Sequence, residues 1–284
     1  MVGILSFAFR VSRFRFWIYL AGTYVVGYSL GMDSWRDLLA PTYVVFLAYF
    51  FLPANIFLYG VNDYWDERTD RDNPKKARKE NMLCDADRRR LLGLLTLVAL
   101  LSLALIVAMD SVVERAVLAS FLGLSFFYSS EPLRFKSRPI LDFASNSLYV
   151  MPGILGFHQA SGSLPVLPMI IAGVMHTSAM HLFSAIPDIE YDRKAGIVTT
   201  AVVLRRNASL GLCAIFWTLL SLLAIHLTHY SAPSFAVFVY PSIPLVVLLR
   251  EGLDIDRVYW YWPYVNTAMG GGLFLASTLA KLHL

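Results

Sequence analysis

Nine stretches of this chain are almost free of charge, and charged residues punctuate the gaps between them. A helix needs roughly 20 apolar residues to cross about 30 Å of hydrocarbon. In that medium only helices and closed barrels pair every backbone polar group internally. Runs of this length therefore predict helical membrane spans, placed at 16–32, 38–61, 91–109, 112–130, 140–158, 165–187, 208–228, 233–249 and 259–280. Composition agrees: 57% of the 284 residues are hydrophobic and 15% charged, against about 25% charged in a soluble domain. Nine spans at roughly 20 residues each take up most of the chain, which excludes a large soluble domain. The predicted fold class is all-α, a nine-transmembrane-helix bundle forming one domain over residues 1–284, with no internal repeat or long linker.

Basic residues report orientation, because Lys and Arg collect on the cytoplasmic side of a membrane protein. With these spans, 21 of the 24 fall on one side and only Arg36, Arg115 and Lys281 on the other. The N-terminus is therefore expected in the cytoplasm, and the protein in the cell membrane as a multi-pass chain. The net charge of +4 follows from those loops and does not call for a nucleic-acid partner. Cys84 and Cys213 have no metal-ligand spacing and no disulfide framework. Residues 1–15 lack the apolar core and cleavage site of a removable signal peptide. Trp17, Trp35, Trp260 and Trp262 sit at span ends as an interfacial belt. Gly270, Gly271 and Gly272 are expected to allow close helix contact.

Two acidic clusters break the apolar pattern. Span two ends in Asn62-Asp63-Tyr64-Trp65-Asp66-Glu67-Arg68-Thr69-Asp70, where spacings of three and four place Asn62, Asp63, Asp66 and Asp70 on one helical face. Span six ends in Pro187-Asp188, with Asp192 one turn later and Glu190 on the opposite side. A charge at a helix centre costs on the order of 3 kcal/mol on the mildest scale, and less toward the interface. Carboxylates at two apolar edges on the same side therefore imply something cationic between them, whereas Asp72, Glu80, Asp85 and Asp87 read as solvated loop charge.

Carboxylate and amide oxygens without Cys or His partners suit Mg²⁺, which binds through one or two carboxylates and completes its shell with water and phosphate oxygens. The implied ligand is a diphosphate, with Lys75, Lys76, Arg78, Arg134 and Lys136 placed to neutralise its remaining charge. A diphosphate beside an apolar interior suits an isoprenoid diphosphate.

With these residues in place, the sequence resembles the UbiA superfamily of intramembrane prenyltransferases. Its NDxxDxxxD motif is matched by Asn62, Asp63, Asp66 and Asp70, and its DxxxD motif by Asp188 and Asp192. Within the superfamily the chain looks most like the lycopene elongases of C50 carotenoid biosynthesis. That likeness rests on RFRFWIYLAG (13–22), LPANIFLYGVND (52–63), DRDNPKK (70–76), YSSEPLRFKSRPILDFASNSLYVMPGI (128–154) and FSAIPDIEYDRKAGIVTTAVVL (183–204). Where quinone-type members carry YxxxK, Tyr128 is followed at that spacing by Pro132, and the basic residues come later as Arg134 and Lys136.

The resemblance implies transfer of a dimethylallyl unit from dimethylallyl diphosphate to lycopene, with Mg²⁺ as cofactor. Asp63, Asp66, Asp188 and Asp192 are then the catalytic carboxylates. Asn62 and Asp70 join them as metal ligands, and Lys75, Lys76, Arg134 and Lys136 bind the diphosphate. Tyr59, Tyr128, Asn146 and Tyr149 are candidate walls for the prenyl group or acceptor; Tyr24 and Phe51 are further rings of that kind, and Ser145 lies beside Asn146. His181, upstream of the second motif, is placed to remove a proton, although packing or an interhelical hydrogen bond is the commoner role for it and for His176. Two alternatives stay open. One keeps the chemistry but changes the acceptor to a quinone precursor, a glyceryl ether lipid or a chlorin; the other is a transporter or lipid-binding protein.

Overall fold

The computed structural model describes residues 3–70, 85–250 and 252–282, without the side chains of 67–70, 85 and 86. Helix is the only regular secondary structure among the described residues, which contain no strand. Its helices are α1 (Ile4–Val11), α2 (Thr23–Gly31), α3 (Pro41–Phe51), α4 (Pro53–Asp70), α5 (Asp85–Ala108), α6 (Val112–Ser129), α7 (Leu141–Ala144), α8 (Met151–Ser161), α9 (Leu167–Ala185), α10 (Ile189–Lys194), α11 (Thr200–Leu227), α12 (Val239–Leu249), α13 (Ile255–Trp260) and α14 (Trp262–Leu279).

Six helical stretches among the described residues are long and apolar enough to cross a membrane: Pro41–Asp66, Asp87–Ala108, Val112–Ser129, Leu167–Lys194, Thr200–Leu227 and Ala232–Leu249. They overlap the predicted spans 38–61, 91–109, 112–130, 165–187, 208–228 and 233–249. Of the other three predicted spans, 16–32 and 140–158 are built from shorter pieces, each with a local cause, while 259–280 falls mainly in α14, which at 18 residues is as long as α6. Over 16–32, a π-helical segment Ile18–Gly22 precedes α2, and Thr23 Oγ1 donates to the carbonyls of Tyr19 and Leu20 at 3.0 and 2.9 Å. Over 140–158, the side chains of Ser145 and Asn146 take the carbonyls of Leu141 and Asp142 at 2.6 and 2.7 Å, and a 3₁₀ segment Ser145–Tyr149 follows α7. Short polar side chains that bond nearby carbonyls compete with the helical ladder in this way. Over 259–280, Pro263 stands in the first turn of α14, where its missing N–H costs nothing.

The chain divides into two compact units, residues 1–134, 151–164 and 270–284, and residues 135–150 and 165–269. In the first, α2 packs on α8 through glycine. A Cβ on Gly27 would stand 2.0 Å from the Gly153 carbonyl oxygen, and one on Gly156 would stand 2.6 Å from that of Tyr24. The predicted Gly270–Gly272 contact is not found: a Cβ on Gly270 meets only Val26 at 3.8 Å, and those on Gly271 and Gly272 meet nothing within 4 Å. Three glycines in a row mark small size, but only a facing backbone turns small size into close approach. Phe7, Val11, Phe57, Val61, Leu91 and Val98 fasten α1 to α4 and α5. Leu97, Leu100, Leu103 and Val107 on α5 are exposed, as a lipid-facing surface requires.

In the second unit, Phe183, Trp217, Tyr240 and Trp262 form the centre of the core. Trp217 and Trp262 stack with ring centroids 4.7 Å apart, and Tyr240 lies 7° from parallel with Trp262. Trp262, expected at the interfacial belt, is buried here instead. His176 accepts a hydrogen bond from Trp217 Nε1 at 3.2 Å and meets Tyr240 edge-on, which accounts for it as a packing residue.

Candidate active site

The apolar face of α4 runs to Val61 and then continues as Asn62, Asp63 and Asp66 without leaving the protein interior. Asp63 is 8% and Asp66 2% exposed. Burying carboxylates is tolerated only when they are paired or hydrogen-bonded, and both find arginines in the first unit. Arg13 Nη2 donates to Asp63 Oδ1 at 2.6 Å while its guanidinium lies 5.0 Å from the Tyr59 ring centroid. Arg134 Nη2 reaches Asp66 Oδ1 at 3.5 Å and Nη1 lies 3.7 Å from Glu131, while its Nε is buried without a hydrogen bond. Ser129 Oγ donates to Asn62 Oδ1 at 2.7 Å.

Both arginines have left-handed backbones, with φ of 52° at Arg13 and 38° at Arg134. Non-glycine residues rarely adopt that conformation, and where they do it clusters at functional sites. Arg13 was not among the site residues predicted from sequence. Its partner lies 50 residues away, so no local pattern signals it.

Tyr59 is buried on α4 one turn before Asp63, and its ring neighbours Phe16 with centroids 5.9 Å apart. Tyr128 is half-buried near the end of α6. Tyr24 is fully buried among Tyr28, Tyr43 and Phe50 and is part of the packing. Asp70 ends α4, but its side chain lies outside the described residues, as do Lys75 and Lys76.

In the second unit Pro187 stands at the end of α9, where a 3₁₀ turn Ile186–Asp188 leads into α10. Asp188 and Asp192 are half-buried, one turn apart, whereas Glu190 is exposed and paired with Arg193 at 3.1 Å. That separation is the one the spacing predicts. Lys136 lies half-buried in a 3₁₀ turn Phe135–Ser137, Asn146 is buried and Tyr149 half-buried.

A third buried carboxylate belongs to neither motif. Asp142 is 0% exposed and accepts from Thr200 N at 2.7 Å, Thr200 Oγ1 at 2.6 Å and its neighbour Phe143 N at 2.9 Å. It thereby caps the start of α11, immediately after the loop that leaves α10.

Asn62, Asp63 and Asp66 fit a hard cation by chemistry, since they offer two carboxylates and an amide oxygen. Among the described residues no three His, Cys, Asp or Glu side chains converge on one point. A Mg²⁺ that takes one or two carboxylates and fills its shell from water and phosphate does not require three.

The fold and the site define a class: a helical membrane protein with buried carboxylates at a span end, each answered by arginine. Comparison with known proteins gives the family: residues 11–257 match the UbiA prenyltransferase family, and the chain belongs to it. It is 38% identical over 283 residues to a lycopene elongase/hydratase of Haloarcula japonica, covering 99% of this chain and 94% of that one. A lycopene elongase/hydratase of Haloferax volcanii is 40% identical over 265 residues, 92% of this chain and 84% of the relative. A UbiA homolog from Archaeoglobus fulgidus, solved bound to DMAPP and Mg²⁺, superposes with a TM-score of 0.77 at 19% identity, covering 98% and 99% of the two chains. That likeness is one of fold.

Proposed function

We propose that this prenyltransferase moves a dimethylallyl unit from dimethylallyl diphosphate to lycopene. The acceptor rests on one observation, the likeness over nearly the whole chain to lycopene elongase/hydratases at 38% and 40% identity. Asn62, Asp63, Asp66 and Asp70 hold the metal and its diphosphate, as do Asp188 and Asp192. Mg²⁺ bound there supplies Lewis-acid stabilisation of the charge that develops on the leaving oxygen. Arg13, Lys75, Lys76, Arg134 and Lys136 take the phosphate charge the metal leaves. When the diphosphate binds, Arg13 and Arg134 have a stronger anion to turn to than Asp63 and Asp66, which releases those carboxylates for the metal. Tyr59, Tyr128, Asn146 and Tyr149 line the path of the prenyl group or acceptor, and ring faces favour a passing cation. The terminal double bond of the acceptor attacks the allylic carbon as its C–O bond breaks, leaving a cation on the acceptor that ends by proton loss or by capture of water.

The same reading has nine crossings of the cell membrane, an N-terminus in the cytoplasm and chemistry at the cytoplasmic face, because 21 of 24 basic residues then share one side. Incubating the membrane-embedded protein with dimethylallyl diphosphate, Mg²⁺ and lycopene is expected to give C45 and C50 pigments by mass. No such pigment, with turnover on an aromatic or glyceryl ether acceptor instead, would overturn the carotenoid assignment.

A further inference from the structure

Asp142 joins the two stretches of the second unit that carry candidate diphosphate residues. Its Oδ2 accepts from Thr200 N at 2.7 Å and its Oδ1 from Thr200 Oγ1 at 2.6 Å, short bonds of the kind an ionised acceptor makes. Thr200 Oγ1 in turn accepts from Ile140 N at 2.7 Å, which closes a ring between the two segments. Asp142 is 0% and Thr200 5% exposed, and a hydrogen bond shut away from water is electrostatically stronger. From the ring a bonded path leads each way. Asp142 N donates to the Arg138 carbonyl at 2.9 Å and Arg138 N to that of Phe135 at 3.0 Å, which secures the turn Phe135–Ser137 that holds Lys136. On the other side Ile197 N, just ahead of Thr200, donates to the Asp192 carbonyl at 2.8 Å.

Ile140, whose N–H enters the ring, has φ of 73° and ψ of −50°. A β-branched residue at positive φ is an outlier; such strain persists only where the surroundings over-determine it, and it gathers at functional sites. A simple helix cap asks for less, as where Ser111 accepts from Glu114 N at the start of α6. Asp142 instead reaches Thr200 across 58 residues and holds a strained neighbour in the same network. We propose that Asp142 is a positioning residue for the donor: by gripping Thr200 it sets the loop of Asp188 and Asp192 in register with the turn of Lys136, so that carboxylates and ammonium are presented to one diphosphate. Asp142 touches neither metal nor phosphate in this scheme. Preset segments spare the ligand the cost of ordering them on binding, so loosening the ring weakens donor affinity.

The inference rests on the reading of Lys136, Asp188 and Asp192 as donor-binding groups, and the experiment separates the two. Mg²⁺-dependent binding of dimethylallyl diphosphate to the purified full-length protein is measured by calorimetry, beside the thermal midpoint without ligand. Asp142→Asn keeps the shape but offers one acceptor oxygen where the carboxylate offers two, so Thr200 N and Thr200 Oγ1 lose their separate partners. Its Kd is expected to rise about tenfold, the scale of ordering one or two side chains on binding. Thr200→Val keeps the N–H but loses the hydroxyl; its Kd should rise by a smaller factor, and it carries the test if Asp142→Asn fails to fold. Thr200→Ser retains both bonds and should bind as wild type. Ser111→Ala, which removes the cap of α6 in the first unit, should lower the thermal midpoint and leave Kd unchanged. Wild-type Kd in folded Asp142→Asn and Thr200→Val, whatever their thermal midpoints, would reduce Asp142 to a structural cap and overturn the inference alone. A matching rise in Kd for Ser111→Ala would mark a general defect and overturn it too. No Mg²⁺-dependent binding by the wild type would overturn the donor reading and this inference with it.

Discussion

At the scale of single residues, the buried end of α4 concentrates the chemistry. Asp66 is 2% exposed and shares its charge with Arg134, so Asp66→Asn removes one anion while keeping shape and a hydrogen-bond acceptor. The variant is expected to fold, to keep the thermal midpoint within a few degrees, and to lose most prenyl transfer. Asp192→Asn should do the same, and near-wild-type turnover in both would defeat the assignment of the acidic clusters. Arg13 gives a sharper test because sequence alone did not single it out. Arg13→Gln should lower kcat/KM for the diphosphate at least tenfold, about 1.4 kcal/mol of lost transition-state stabilisation. Arg13→Lys should restore part of it, since an ammonium carries the charge but lacks the planar fork that reaches Asp63 while lying beside Tyr59. The carboxylates were legible in the sequence because they repeat at helical spacing. Arg13, Ser129 and Asp142 were not, because each acquires its role from a partner 50, 67 or 58 residues away.

At the scale of elements, the long apolar helices were legible because length and hydropathy suffice to specify them. The broken ones depended on side chains that bond their own backbone, as Thr23, Ser145 and Asn146 do, and such a bond leaves no trace in a hydropathy pattern. Glycine shows the same limit. The run at Gly270–Gly272 drew attention by its repetition, yet the crowded positions are Gly27 and Gly156, scattered along α2 and α8. Gly27→Ala puts a methyl 2.0 Å from a carbonyl oxygen, and backbone cannot rotate away as a side chain can. Overpacking of this kind costs about 1–3 kcal/mol or more, so the thermal midpoint of Gly27→Ala should fall by several degrees. Gly271→Ala meets open space and gains roughly 0.5–1 kcal/mol of helix propensity, so it should be neutral or slightly stabilising. Equal effects of the two substitutions would refute the glycine-mediated contact between α2 and α8.

At the scale of the whole molecule, the distribution of charge makes a claim about topology that the helices alone do not. α6 runs from Val112 to Ser129, so Asp110 and Glu131, both exposed, flank one crossing of about 27 Å at 1.5 Å per residue. The next predicted crossing, 140–158, is the one interrupted by the Ser145–Tyr149 turn, and exposed Ser163 lies just beyond it. If that interrupted segment still crosses, Ser163 returns to the side of Asp110. Polar backbone is tolerated inside a membrane when it is buried in protein, and Ser145, Asn146 and Leu148 are buried. Single cysteines placed at 110, 131 and 163, with Cys84 changed to Ser and buried Cys213 left in place, should therefore label in a fixed pattern with a membrane-impermeant maleimide. Positions 110 and 163 should react in intact cells and position 131 only after permeabilisation. Labelling of 163 together with 131 would mean that 140–158 does not cross and would reduce the count of nine. The opposite sidedness for all three would invert the orientation inferred from the basic residues and place the acidic clusters on the outer face.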